Sequence, residues 1–203
     1  MSETQQAEAP PRSWLLAVRE RLASPPPRRL PPGEQRRASV LVPLFVQSGE
    51  LWTVLTKRTD TLPTHRSQIA FPGGALDLGE DAWAAALREA EEEVGIEPGK
   101  VLRLGQLDEV ETPMGFRVVP CAGAVPYPYE ARPNEAEIAE VFSLPLTAFA
   151  NPRMMEDRTV KIDGVPRQLR IYHIGNRQVW GLTARVLQNL LARLGLETPE
   201  DAG

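Results

Sequence analysis

The chain has 203 residues, 23 Lys and Arg against 27 Asp and Glu for a formal net charge of −4, and 42% hydrophobic content. That is apolar material for one core with no need of a second, and the acidic balance argues against broad nucleic-acid binding. A single cysteine, Cys121, excludes an internal disulfide, and no apolar run is long enough to cross a bilayer as a helix.

The first dozen residues read as a frayed tail. Residues 13–22 have spaced apolar side chains suited to one amphipathic helix docked on the main body. The apolar run at 14–18 is too short, and its flank too polar, for a signal peptide, so a cytoplasmic location is expected. Residues 23–33 carry several of the 20 prolines and predict a linker, neither helix nor central strand. The chain thus divides into a tail, helix and linker over 1–37, one domain over 38–197 and a short tail over 198–203. Arg12, Arg19, Arg21, Arg28, Arg29, Arg36 and Arg37 make the first region locally basic. Solubilisation of the linker accounts for them; phosphate binding is the alternative, but no aromatic residues interleave as in single-strand binders.

Strands are expected at 39–46, 51–57, 101–107, 116–125 and 168–174. Helices are expected at 81–94 and at 182–194, the latter from Leu182, Val186, Leu187, Leu190 and Leu191 at helical spacing. Strands outnumber helices without regular alternation, which points to a mixed sheet flanked by helices, an α+β fold. Cys121 reads as a small buried strand residue; a nucleophilic thiol is the alternative, with no partner His evident.

The segment from 71 to 96 carries the chemistry. Phe71-Pro72-Gly73-Gly74 lets the backbone pass close to a ligand. After it, Asp81 is placed to cap a helix and Gly95 to stop it, with Ile96 packing back. Helical residues turn by about 100° each, so Glu89, Glu92 and Glu93 share one face. An isolated acidic run is ordinarily a solvated face. Here the carboxylates repel, Arg88 is the only cation within the run, and oxygen-only donors without nearby His or Cys suit Mg²⁺, with Mn²⁺ as a substitute.

Gly74, Glu80, Arg88, Glu89, Glu92, Glu93 and Gly95, at their fixed spacing, resemble a complete Nudix box, with Ala90 where a larger aliphatic residue is usual. The resemblance implies an α/β/α sandwich with a mixed sheet and a short catalytic loop-helix-loop. It implies hydrolysis of a nucleoside diphosphate linked to another group. Glu89 and Glu93 would be side-chain metal ligands, the Gly73 carbonyl a main-chain ligand, and Glu92 a further ligand or a group that activates water. Arg88 would orient a Glu, and Glu80 would support the loop.

Val54-Leu55-Thr56-Lys57-Arg58-Thr59 and Gln68-Ile69-Ala70-Phe71-Pro72-Gly73-Gly74 resemble the extra motif of coenzyme A pyrophosphatases within that family, and blocks at 115–120, 134–146 and 180–187 are similar to the same subfamily. Thr59, Pro63 and Ser67 depart from its pattern, where Ser or Ala, Arg and Gly are usual. The resemblance implies a small, coenzyme A-like substrate, no nucleic-acid or membrane partner, and a monomer or homodimer. Arg58, Gln68 and Phe71 become candidate substrate contacts. So does Arg66, with surface solvation as its alternative. Glu137 is the first candidate for a general base outside the box and Glu140 the second; both are otherwise exposed carboxylates. His65 suits a loop hydrogen bond better than metal ligation. The rival readings are an ADP-ribose, dinucleotide or nucleoside triphosphate hydrolase, a non-catalytic ligand sensor, which predicts a degraded box, and a basic arm for nucleic acid.

Overall fold

The computed structural model describes residues 12–60, 68–162 and 164–196. Helix α1 (Arg12–Ala23) leads through an irregular linker into the central strand β1 (Arg36–Gln47), which turns back into β2 (Glu50–Arg58). The turn residues Ser48 and Gly49 both have positive φ, 51° and 79°, the combination that matches the twist of a two-residue hairpin. Next come β3 (Ile69–Ala70), β4 (Gly73–Ala75), α2 (Ala82–Val94), β5 (Leu102–Gln106), β6 (Val110–Glu111) and β7 (Phe116–Ala124). β8 (Ile138–Pro145), α3 (Leu146–Phe149), β9 (Met155–Ile162), β10 (Val165–Ile174), β11 (Arg177–Trp180) and α4 (Gly181–Leu194) complete the order.

The main sheet runs β3-β2-β1-β7-β5, with β8 on β2, β4 on β1 and β6 on β7. β1 and β7 are parallel over Arg36↔Phe116 to Leu44↔Ala124, and the other pairings are antiparallel, so the sheet is mixed. β9, β10 and β11 form a separate antiparallel sheet.

What positions the site is a splay. β1 and β2 pair from Gln47↔Glu50 back to Leu44↔Thr53 and then diverge. Pro43 sits at the divergence; it has no N–H to offer β2, and its carbonyl takes the Thr53 hydroxyl instead at 2.9 Å. Residues 69–75 fill the wedge: β3 pairs with β2 at Thr56↔Ala70, and β4 pairs with β1 at Val40↔Gly73. The Leu41 N–H donates to Pro72 O at 2.9 Å inside the wedge, closing it from the β1 side.

Both faces of the sheet are covered, which is why Val40 to Phe45 are buried without a break. α2 lays Ala82, Ala86, Leu87, Ala90 and Val94 on one face, against Leu41, Phe45, Val54, Val119 and Cys121. Small residues let the helix approach closely, and Ala90 is one of them. α1, α3 and α4 pack with Val42, Leu44, Leu55, Leu107, Val118 and Tyr172 on the other. The result is the expected α+β architecture, an α/β/α sandwich. Among the described residues no helix is long and apolar enough to cross a membrane.

The three expected helices and five expected strands are present, each within a few residues of its expected bounds. β3, β4, β6, β8, β9, β11 and α3 carry no expectation from sequence. α1 buries Val18 and Leu22, and Gly105 of β5 makes room for it: a Cβ there would meet Leu22 Cβ at 3.1 Å. The linker is irregular but tied down. Arg29 pairs with Glu109, and Arg21 donates to Leu194 O at 2.7 Å, so these two arginines are anchored and do more than solvate a linker.

Candidate active site

α2 begins and ends as its sequence dictates. Asp81 is extended, and its Oδ1 accepts the Ala84 N–H at 2.8 Å, taking one of the donors a helix start leaves free. Gly95 is left-handed at φ 75°, its N–H donates to Glu91 O at 2.9 Å, and Ile96 packs back with its N–H on Ala90 O at 3.2 Å. The helix thereby holds Glu89 and Glu93, one turn apart, over the wedge.

Glu93 is 5% exposed. The Gly73 N–H donates to its Oε2 at 3.1 Å, and Arg58 Nη1, from the end of β2, lies 3.4 Å from its Oε1. Burial pushes the Glu93 carboxyl up to about 7, against the Gly73 N–H and Arg58, which favour the ionised form; Glu89 and Glu137 add repulsion. Gly73 is sterically required, and Gly74 leaves room for the Glu89 carboxylate. A Cβ on Gly73 would sit 2.3 Å from Ser39 O, and one on Gly74 would sit 2.4 Å from the Glu89 carboxyl carbon.

Arg88 organises the other acids. Its Nε and Nη2 each donate to Glu80 at 3.1 Å, Nη1 reaches Glu89 at 2.8 Å, and Nη2 also donates to Ala75 O at 3.1 Å. Held in this fork, the Glu80 carboxyl lies below the usual range, while Glu80 and Glu89 raise the pKa of Arg88 further. Glu92 points outward with its side chain 58% exposed and only a 3.4 Å contact to Arg88 Nη1.

Glu137 reaches the site because its loop hangs from the end of α2. The last helical carbonyls are satisfied from that loop: Asn134 N–H donates to Glu93 O at 2.9 Å and Arg132 N–H to Val94 O at 3.0 Å. Asn134 then turns the chain, its Oδ1 accepting the Ala136 N–H at 3.2 Å, and Glu137 arrives 3.6 Å from Arg58 Nη2. Glu140 goes elsewhere. It shares a strand face with Phe142, which packs into the core cluster opposite α2. There Glu140 pairs with Arg177, whose guanidinium covers the Phe142 ring at 4.3 Å.

Of the remaining candidates, Phe71 is 4% exposed and packs in the core under the wedge, so its ring is part of the floor. Gln68 accepts the Arg58 N–H on its backbone carbonyl at 3.1 Å and lies beside Gly181 at the start of α4. Arg66 and His65 fall outside the described residues. Cys121 is fully buried, with burial raising its thiol above the ordinary range, as suits a core residue. Sequence reasoning missed the close seat of the Glu89 carboxylate on Gly74 and the part played by Asn134. An Asn three residues before a candidate base was the one available signal for the second.

Among the described residues no three His, Cys, Asp or Glu side chains converge tightly enough to enclose a metal ion. The donor chemistry nevertheless fits a hard cation. Among the described residues, two carboxylates of one helix face lie against a glycine wall with oxygen as the only donor type, and the buried Glu93 has a single guanidinium for countercharge.

An acidic helix set over a glycine-lined wedge in an α/β/α sandwich sets oxygen donors beside a close backbone wall, an arrangement that suits a hard cation. The NUDIX domain family matches residues 35–162. The chain is 38% identical over 192 residues to an uncharacterized Nudix hydrolase, NudL, of Pectobacterium atrosepticum, covering 91% of this chain and 97% of that protein. It is 39% identical over 164 residues to NudL of Cronobacter sakazakii, covering 79% and 84%. Among solved structures it is similar to a MutT/nudix family protein from Enterococcus faecalis, with a TM-score of 0.52 and 18% identity over 82% of this chain and 64% of that one. A NUDIX hydrolase from Alicyclobacillus acidocaldarius gives a TM-score of 0.51 and 17% identity, over 78% and 92%. The structural likenesses speak to the fold, and the sequence matches to the family. The chain belongs to the Nudix family and is an enzyme that hydrolyses phosphorus-containing anhydrides.

Proposed function

We propose that the substrate is a nucleoside diphosphate derivative, coenzyme A or an acyl-coenzyme A, cleaved at its diphosphate bond to 4′-phosphopantetheine or its acyl form and adenosine 3′,5′-bisphosphate. The observation that carries the site is the convergence of Glu89, Glu93, Arg58 and Glu137 on the Gly73–Gly74 wall. The choice of substrate is supported by the motif resemblance, whose blocks at 54–59 and 68–74 supply one wall of the wedge and the segment that fills it.

Glu89, Glu93 and the Gly73 carbonyl would hold Mg²⁺ or Mn²⁺. When bound, such an ion supplies charge neutralisation at the diphosphate and lowers the pKa of a coordinated water. The chain's own residues do the rest. Arg88 fixes the Glu89 carboxylate, the Gly73 N–H fixes that of Glu93, and Glu137, its side chain 44% exposed and paired with Arg58, would take the proton of the attacking water. Glu92 joins the ligands only by leaving Arg88. Gln68 and Arg58 border the space a substrate would enter, and Phe71 shapes its floor.

The test is product analysis over coenzyme A, acyl-coenzyme A, ADP-ribose, NADH and nucleoside triphosphates with added Mg²⁺ or Mn²⁺. Coenzyme A or its acyl form is expected to give the highest kcat/KM, with the two products named above. Preferential turnover of ADP-ribose or a triphosphate would overturn the substrate assignment and leave the reaction class standing.

A further inference from the structure

We propose that Arg58 is the resident counter-cation of this site: its guanidinium holds Glu93 and Glu137 until a divalent cation displaces it, and is then released to bind a phosphate of the substrate. The inference rests on the metal-site reading above and adds an order of events to it.

The backbone of Arg58 is fixed, with its N–H on Gln68 O at 3.1 Å, and an irregularity in the β2–β8 register between Lys57 and Arg58 redirects the chain there. The side chain is held loosely. It lies 3.4 Å from Glu93 Oε1 and 3.6 Å from Glu137 Oε2, both longer than the roughly 2.7–2.9 Å of a strong charge-assisted pair. Its Nε is buried with no acceptor among the described residues. A guanidinium shared between two carboxylates, with a donor left over, has little to lose by moving. A dication beside Glu93 removes the reason for it to stay, because like charges then face each other across a few ångströms next to a buried carboxylate. A planar fork freed at the mouth of the wedge is shaped for two phosphate oxygens.

A purely supporting role and a displaced one predict opposite signs. If Arg58 only braces Glu93, its removal weakens metal and substrate together. If it competes with the metal, removal tightens the metal and weakens the substrate. Titration calorimetry with Mn²⁺ at fixed pH on the full chain, with α,β-methylene-ADP as a non-hydrolysable diphosphate, separates them. Arg58→Gln is expected to bind Mn²⁺ several-fold and up to about tenfold tighter than wild type, and the Mn²⁺-loaded protein to bind the analogue about tenfold more weakly. Arg58→Lys, which reaches one carboxylate at a time, should shift both values the same way by less, and serves alone if Arg58→Gln does not fold. Unchanged or weakened Mn²⁺ affinity, or unchanged analogue affinity, overturns the proposal. Wild-type Mn²⁺ binding that is absent, or that survives Glu93→Gln, removes the metal site itself and this role with it.

Discussion

Glu93 is a carboxylate kept dry between a backbone N–H and a shared guanidinium, with its pKa near 7. The folded-state value lies above the unfolded one, so its stabilisation is full below about pH 4.5 and is lost as pH rises through 7. The metal-free protein, in chelator, should therefore melt at falling temperature from pH 5 to pH 8, by on the order of 3 kcal/mol in stability. Metal binding needs the ionised form, so the rise in Tm given by millimolar Mg²⁺ should be larger at pH 8 than at pH 6. Calorimetry over that range measures both, and a metal-induced rise that ignores pH would detach Glu93 from the ion. Glu93→Gln should flatten the pH dependence and lower kcat by about 10² or more with the fold intact, since it deletes charge needed in the transition state. Wild-type turnover in that variant would strip the residue of its role. That Glu89 and Glu93 share one helix face was legible from helical spacing, while the ligand role expected of them came from the motif resemblance. The outward turn of Glu92 was not, because spacing puts it on the same face, and only its contact with Arg88 on one side and solvent on the other sends it away.

At the scale of elements, α2 is written locally and the wedge beneath it is not. Asp81 and Gly95 set the helix ends with groups within three or four residues of them, so cap chemistry could be read from the chain. Asp81→Ala should lower stability by about 1 kcal/mol, seen as a lower urea midpoint at unchanged m-value, while turnover of the folded protein persists. A change in m, or no change in midpoint, would mean that the cap is not what starts the helix. β3 and β4, two and three residues long, are too short to show any alternation. They exist because β1 and β2 splay and leave ladder donors and acceptors to satisfy, a requirement written at Pro43, some 30 residues away, by the rule that buried backbone groups must pair. β9 escaped for a different reason. Its sequence carries three consecutive charges at 156–158, which hide any apolar alternation, and its pairing with β10 is supported by Asp157–Arg170 and Glu156–His173, partners that periodicity cannot connect.

For the whole molecule, β1 works as a divider. β4 and β2, with the acidic site, lie along one edge, and along the other lies β7, beyond which come β5, β6 and the linker that returns from α1. The proline-rich composition made the linker recognisable as irregular. Its anchorage could not be read, because the anchors Asp108 and Glu109 lie about 80 residues downstream of what they hold. Glu109 is buried and accepts the Leu30 N–H and Arg117 Nε, each at 2.7 Å, while its own N–H donates to Arg28 O at 3.0 Å. Arg117 in turn donates to Leu30 O and Pro31 O, so one buried ion pair fastens the strap and with it the docking of Val18 and Leu22. Removing Glu109 leaves the largely buried Arg117 and the exposed Arg29 without their carboxylate, at a cost of about 3 kcal/mol. Glu109→Gln should thus lower Tm by on the order of 10 °C. Because the strap and the wedge lie on opposite sides of β1, kcat and the Mn²⁺ dissociation constant of the folded variant at 25 °C should match wild type. Melting with parallel assays decides the matter: a loss of turnover in step with the loss of stability would show that the strap and the site are coupled across the central strand.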